Sequence, residues 1–207
     1  MMKMSLLTVP NIITTRFVLV QTHHPGNVGA AARAMKTMGF QELVLVSPED
    51  PKVLNRLRTK ESASGAIDVL EQTRICTNLS QALVGTDRWC GTGMPHDMHR
   101  KRIQRRPYVS PRTYFHHLLR SYDGLLPTET SSEIRISFVF GNERRGLTEE
   151  DMETCHVMLG IPTNPTFGSL NLASAVQLIA YDWRQAIGGF DEEPPFCPKE
   201  ISDHYHL

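Results

Sequence analysis

Short apolar runs rich in β-branched residues alternate along the chain with longer stretches in which apolar residues recur every three or four positions. Runs of the first kind, at Arg16–Gln21, Glu42–Ser47, Arg88–Gly91, Ile134–Phe140 and His156–Ile161, predict buried strands, with a weaker one near Arg74–Thr77. The second kind predicts helices over approximately Val28–Met38, Val53–Ser64, Leu79–Val84, Pro111–Ser121, Glu149–Thr154 and Leu170–Ile187. Strands and helices in alternation imply an α/β domain, a mostly parallel sheet with helices on both faces. In such a fold ligands gather at the carboxyl ends of the strands. The domain is expected over 16–187, after a tail at 1–15. From Gly188 the chain turns acidic and proline-bearing, and 188–207 reads as a linker or the start of a C-terminal extension.

Three segments that follow strands carry the candidate chemistry. Ile161 to Ala173 is turn-rich and nearly free of charge, and it runs into a strongly periodic helix. Ser169 is expected to cap that helix, and Gly188-Gly189 to end it. Such a junction can hold a flat heterocycle through amides and carbonyls, although an ordinary strand-to-helix connection has the same features. His24 to Gly39 is a turn followed by a helix apolar almost all round, with Gly29, Arg33, Lys36 and Thr37 on its one polar strip. Gly29, one turn before Arg33, is expected to leave the backbone open beside the guanidinium for a phosphate or ribose; a solvated arginine on a core helix is the alternative. Phe140 to Leu147 sets a charged tetrad between two glycines, with Thr148 placed to cap the next helix. There Glu143 can accept from Arg144 or Arg33, or face solvent.

Composition narrows the classes. A chain of 207 residues with 40% apolar content suits one domain, and its formal charge of zero provides no global field toward nucleic acid or membrane. Against that background seven Arg or Lys residues and no acid lie between His99 and Arg120. Arg100, Lys101, Arg102, Arg105 and Arg106 are the candidate contacts to RNA phosphate, with Tyr108, Tyr114 and Phe115 available for stacking. The four cysteines have no zinc or redox spacing and read as reduced structural thiols. His96 and His99, and the adjoining His116 and His117, lack the further ligands of a metal site, so no metal is expected. No apolar run approaches the ~18 residues of a spanning helix and no signal pattern opens the chain; a soluble cytosolic protein is expected.

Taken in order, Asn27-x-Gly-x-x-x-Arg33, Phe140-Gly-Asn-Glu-x-x-Gly-Leu147 and Ile161-Pro…Ser169-Leu-Asn-Leu172 resemble the three motifs of the SPOUT superfamily. The likeness is greatest to TrmH-type RNA ribose methyltransferases and, within them, to TrmJ-like tRNA (cytidine/uridine-2′-O-)-methyltransferases. It covers roughly Arg16 to Ile187. The resemblance implies a C-terminal trefoil knot, a homodimer, and S-adenosylmethionine as methyl donor for an RNA substrate. That substrate would be tRNA, at a pyrimidine of the anticodon loop, or rRNA; a non-catalytic RNA binder of the same fold is the rival. The donor would contact Thr92, Gly93, Met94, Gly141, Glu143, Leu147, Ile161, Gly168, Ser169 and Leu170. Arg33, Ser169 and Asn171 match the catalytic positions, and Asn27 and Arg33 would also meet RNA. One departure is Thr92-Gly-Met-Pro-His, where relatives often carry Thr-Ser-Ala-Arg.

Overall fold

A computed structural model describes residues 12–94, 108–123 and 133–190. Among these, seven strands form one sheet: β1 (Ile12–Val20), β2 (Glu42–Val46), β3 (Arg74–Cys76), β4 (Arg88–Thr92), β5 (Tyr108–Val109), β6 (Glu133–Phe140) and β7 (Val157–Leu159). Their order is β3-β2-β1-β6-β4-β7-β5 and every neighbouring pair is parallel, so the carboxyl ends share one edge. β1 starts at Ile12 rather than Arg16. Its first residues pair with Glu133 to Arg135, but Thr14, Thr15 and Arg16 interrupt the apolar run that marks a strand. The two-residue β5 is too short for periodicity to reveal.

The helices are α1 (Pro25–Thr37), α2 (Leu57–Ala63), α3 (Ile67–Gln72), α4 (Leu79–Leu83), α5 (Pro111–Asp123), α6 (Glu149–Thr154) and α7 (Leu172–Ala186). Alternating strand residues feed two cores. Phe17, Leu19, Leu43, Leu45, Ile136, Phe138 and Phe140 pack beneath α1, α5 and α7, while Val18, Val20, Val44, Val46 and Val139 meet α4 and α6. The apolar stripe of α7 is buried at Leu172, Val176, Ile179, Ala180 and Trp183, and the Trp183 indole N–H donates to Thr15 Oγ1 at 2.9 Å.

Several expectations change. The helix expected over Val53–Ser64 is a 3-10 turn (Val53–Asn55) followed by α2, because Arg56 between them is extended at φ −68°, ψ 137°. Ser64 then ends α2 with φ +51°. Phe115 is fully buried edge-on against Phe138 and Trp183 and presents no free face to a base; Tyr114 is partly buried against the same core, and Tyr108 is 40% exposed. Gly29 is buried where α1 crosses α2: a Cβ there would lie 2.0 Å from the Thr59 carbonyl oxygen and 2.8 Å from the Ala63 nitrogen. It serves close helix packing, not open backbone beside Arg33. Cys76, Cys90 and Cys155 are buried and form no disulfide among the described residues, and burial pushes the Cys90 thiol up, which keeps it inert. Among the described residues no helix is long and apolar enough to cross a membrane.

Candidate active site

Loops leaving the three adjacent strands β6, β4 and β7 enclose a cleft of about 190 Å³. That is smaller than the ~300 Å³ of an enclosed ligand site, so a ligand would be gripped in part and extend through the open mouth. Of the expected donor contacts, Thr92, Gly93, Met94, Gly141, Glu143, Ile161, Gly168, Ser169 and Leu170 all line it. Leu147 does not; it is 3% exposed and belongs to the core shared with α6. Gly141 is required by the close return of its own loop, since a Cβ would lie 2.1 Å from the Gly146 carbonyl carbon. Thr148 and Asp151 form a reciprocal capping box that starts α6 as the loop ends.

The third loop differs from expectation at its end. Asn171, not Ser169, caps α7, its Oδ1 accepting from the amides of Ala173 at 2.9 Å and Ser174 at 3.4 Å. Asparagine caps as well as serine, and capping two residues later leaves Ser169 and Leu170 outside the helix and against the cleft. The Asn171 amide also donates to Asn27 Oδ1 at 2.9 Å, and Asn27 donates to Glu143 Oε1 at 2.9 Å. One polar chain thus ties the loop after β7 to α1 and to the loop after β6. Asn171→Ala is expected to lower stability by about 1 kcal/mol, read as a fall of roughly 2–4 °C in thermal unfolding.

Glu143 is half-buried and takes neither arginine as partner. It accepts from Asn27, from the His23 amide at 2.8 Å and from the His24 amide at 3.1 Å. Burial pushes its carboxyl up, but the hydrogen bonds from Asn27 and the two amides outweigh burial and hold it below the ordinary carboxylate value. A carboxyl with a depressed folded-state pKa stabilises above its unfolded pKa and loses that contribution as pH falls through the folded value. Hydrogen-exchange protection of the His23 and His24 amides is therefore expected to be complete at neutral pH and lost in acid below the usual carboxylate range. Glu143→Gln should flatten that dependence.

Arg33 does not line the cleft. It is exposed on α1, about 9 Å along the helix axis from Asn27, and its guanidinium has no hydrogen-bond or ion-pair partner among the described residues. Lys36, on the same strip, is held by Asp68 at 2.8 Å. The expected RNA contacts Arg100, Lys101, Arg102, Arg105 and Arg106, with His96 and His99, lie outside the described residues. Among the described residues no group of three side chains could hold a metal. Sequence reasoning missed Asn142, Arg144 and Arg145 as lining residues; the charged tetrad drew attention, but only to Glu143. Nearby, Gln21 and Ser47, at the ends of β1 and β2, have φ of +51° and +42°. Left-handed non-glycine residues cost on the order of 1 kcal/mol or more and cluster at functional sites.

The profile of the SpoU rRNA Methylase family matches residues 14–181, a span that takes in α1 and all three loops of the cleft. The chain belongs to the SpoU methylase family. Within it, this member is 40% identical over 171 residues to the tRNA (cytidine/uridine-2′-O-)-methyltransferase TrmJ of Photorhabdus laumondii, covering 83% of this chain and 64% of that protein. It is 41% identical over 175 residues to the tRNA (cytidine/uridine/adenosine-2′-O-)-methyltransferase TrmJ of Pseudomonas aeruginosa, covering 83% and 60%. The chain thus spans less than two thirds of the length of either curated relative. A crystal structure of a probable methyltransferase from Bordetella pertussis is similar to this chain with a TM-score of 0.70 and 37% identity, over 84% of this chain and 93% of that one.

Proposed function

We propose that this SpoU-family chain transfers a methyl group from S-adenosylmethionine to a ribose 2′-hydroxyl of tRNA, at a pyrimidine of the anticodon loop. The observation that carries this reading is the cleft itself, in which the loops after β6 and β7 are tied to each other and to α1 through Glu143, Asn171 and Asn27. The residues present fit the donor. Gly168 on the cleft wall carries no side chain to fill it, and a Cβ there would crowd Thr163 Oγ1 at 2.9 Å and Met94 Sδ at 3.4 Å. Amides and carbonyls of Gly141, Ile161 and Leu170 would read a flat heterocycle, with Leu159 and Leu172 as apolar neighbours.

When bound, the donor supplies an electrophilic methyl group on a sulfonium. The chain must then align the hydroxyl, strip its proton and stabilise the charge left on oxygen. Arg33 suits the last of these roles, because its guanidinium is exposed, unclaimed among the described residues, and offers five donors to a ribose oxygen and the adjoining phosphate. A guanidinium stays protonated and has no lone pair to accept a proton, so it is a poor base and the proton passes to water. Ser169, on the cleft wall, would border the reacting groups, and Asn171 would hold the loop that carries it. The basic stretch at 100–106 would engage RNA phosphates. The family resemblance further supports a knotted C-terminal part and a homodimer, for which Leu178 and Tyr181, 40% and 46% exposed on α7, offer apolar surface.

The test is nucleoside mass spectrometry of RNA from cells with and without this protein, together with calorimetric titration of the donor. Loss of a 2′-O-methylated pyrimidine from tRNA is expected. Loss from rRNA instead would reassign the substrate, and an unchanged profile with no donor binding would leave a non-catalytic RNA binder.

A further inference from the structure

We propose that His23, backed by Glu49, is a positioning residue that holds the Arg144 guanidinium at the mouth of the cleft to receive an anionic group of a reactant. The inference rests on the methyl-transfer reading only for the identity of that reactant. Arg144 lines the cleft, and its Nη2 lies 2.7 Å from His23 Nε2. A guanidinium carries donors alone, so His23 Nε2 must be unprotonated and accept. The ring proton then sits on Nδ1, which donates to Glu49 Oε2 at 2.5 Å. The contact therefore fixes one neutral tautomer of His23.

Glu49 is steered from its other side. Asn142 Nδ2 donates to Glu49 Oε1 at 3.1 Å and to the Gln21 carbonyl at 2.5 Å, and the Arg145 guanidinium lies 3.9 Å from the same carboxylate oxygen. Asn142 Oδ1 accepts from the Arg144 amide at 2.9 Å, so the side chain that orients Glu49 also fixes the backbone carrying Arg144. Three loops, after β1, β2 and β6, thus converge on one cation, with left-handed Gln21 and Ser47 turning two of them.

Stability does not account for this arrangement, because the His23 and Glu49 side chains are 37% and 41% exposed and pairs at such exposure stabilise little. A held guanidinium does have a use at a cleft mouth. It loses little freedom when a planar anion arrives, and its fork can take a carboxylate or phosphate through two hydrogen bonds. In the proposed reaction that anion is either the carboxylate of the methyl donor or a phosphate of the RNA.

Steady-state kinetics on the full chain should compare wild type with H23A, H23Q, R144A and the H23A/R144A double variant. H23A is expected to raise the KM of one reactant by roughly three- to ten-fold, moving KM more than kcat, and H23Q, whose amide oxygen can accept from Arg144, to restore most of it. In the R144A background H23A should add nothing, because its effect passes through Arg144. A shift in the RNA KM identifies a phosphate, and a shift in the donor KM identifies the carboxylate. An unchanged KM for both reactants, or an equal H23A penalty with and without Arg144, would overturn the proposal. Nitrogen-15 NMR of His23 at neutral pH needs no reaction and so separates this proposal from the methyl-transfer reading: protonated Nδ1 with bare Nε2 is expected, and the opposite tautomer overturns the brace even in an active methyltransferase.

Discussion

Gly29→Ala is expected to destabilise the protein by about 3 kcal/mol, seen as a drop of roughly 6–12 °C in the thermal unfolding midpoint. The added methyl would stand 2.0 Å from the Thr59 carbonyl oxygen and 2.8 Å from the Ala63 nitrogen, both backbone atoms that no rotamer change can move. α2 cannot slide away cheaply either, because Thr59 and Ala63 are buried and Thr59 Oγ1 donates to the Val53 carbonyl at 2.6 Å. The sign is diagnostic. In an open helix the same substitution stabilises by up to about 1 kcal/mol, so a raised midpoint would refute the close crossing. Activity should fall only as far as α1 is displaced and Asn27 with it.

Arg33 is expected to behave in the opposite way. Arg33→Ala should change stability by no more than about 0.5 kcal/mol, since the side chain is exposed and nothing among the described residues pairs with it. Turnover should nevertheless fall about 100-fold or more, the loss typical of removing one donor to a developing oxyanion. Arg33→Lys keeps the charge and gives up the planar fork, and it should recover little. Single-turnover methylation measured beside thermal unfolding separates the two effects. Near-normal turnover by the lysine variant would reject the need for a fork, and a large stability loss in the alanine variant would return Arg33 to a structural role.

Much of the cleft was legible because its parts are local. Gly141, Gly168 and the residues between Ile161 and Leu170 announce themselves by following apolar strand runs, and nine of the ten expected donor contacts line the cleft. Leu147 failed because a leucine after a glycine turn reads alike whether it faces a ligand or a core. Phe115 failed for a related reason: aromatics interleaved with basic residues suggest stacking, yet on α5 the helical period turns this one inward.

The sequence by itself determined the alternation of strands and helices, the buried stripe of α7 and the motif order that marks the family. Each of these is a periodicity or spacing within one segment, and burial imposes such patterns locally. Only the tertiary structure decided that Gly29 packs against α2, that Asn171 takes the cap and reaches Asn27, and that Glu143 is claimed by Asn27 and two amides. Those partners stand 144 positions apart for Asn171 and Asn27 and 116 for Asn27 and Glu143. They meet because the sheet order sets β6 between β1 and β4. Hydrogen bonds act over about 3 Å, and which groups come that close depends on how the strands are ordered.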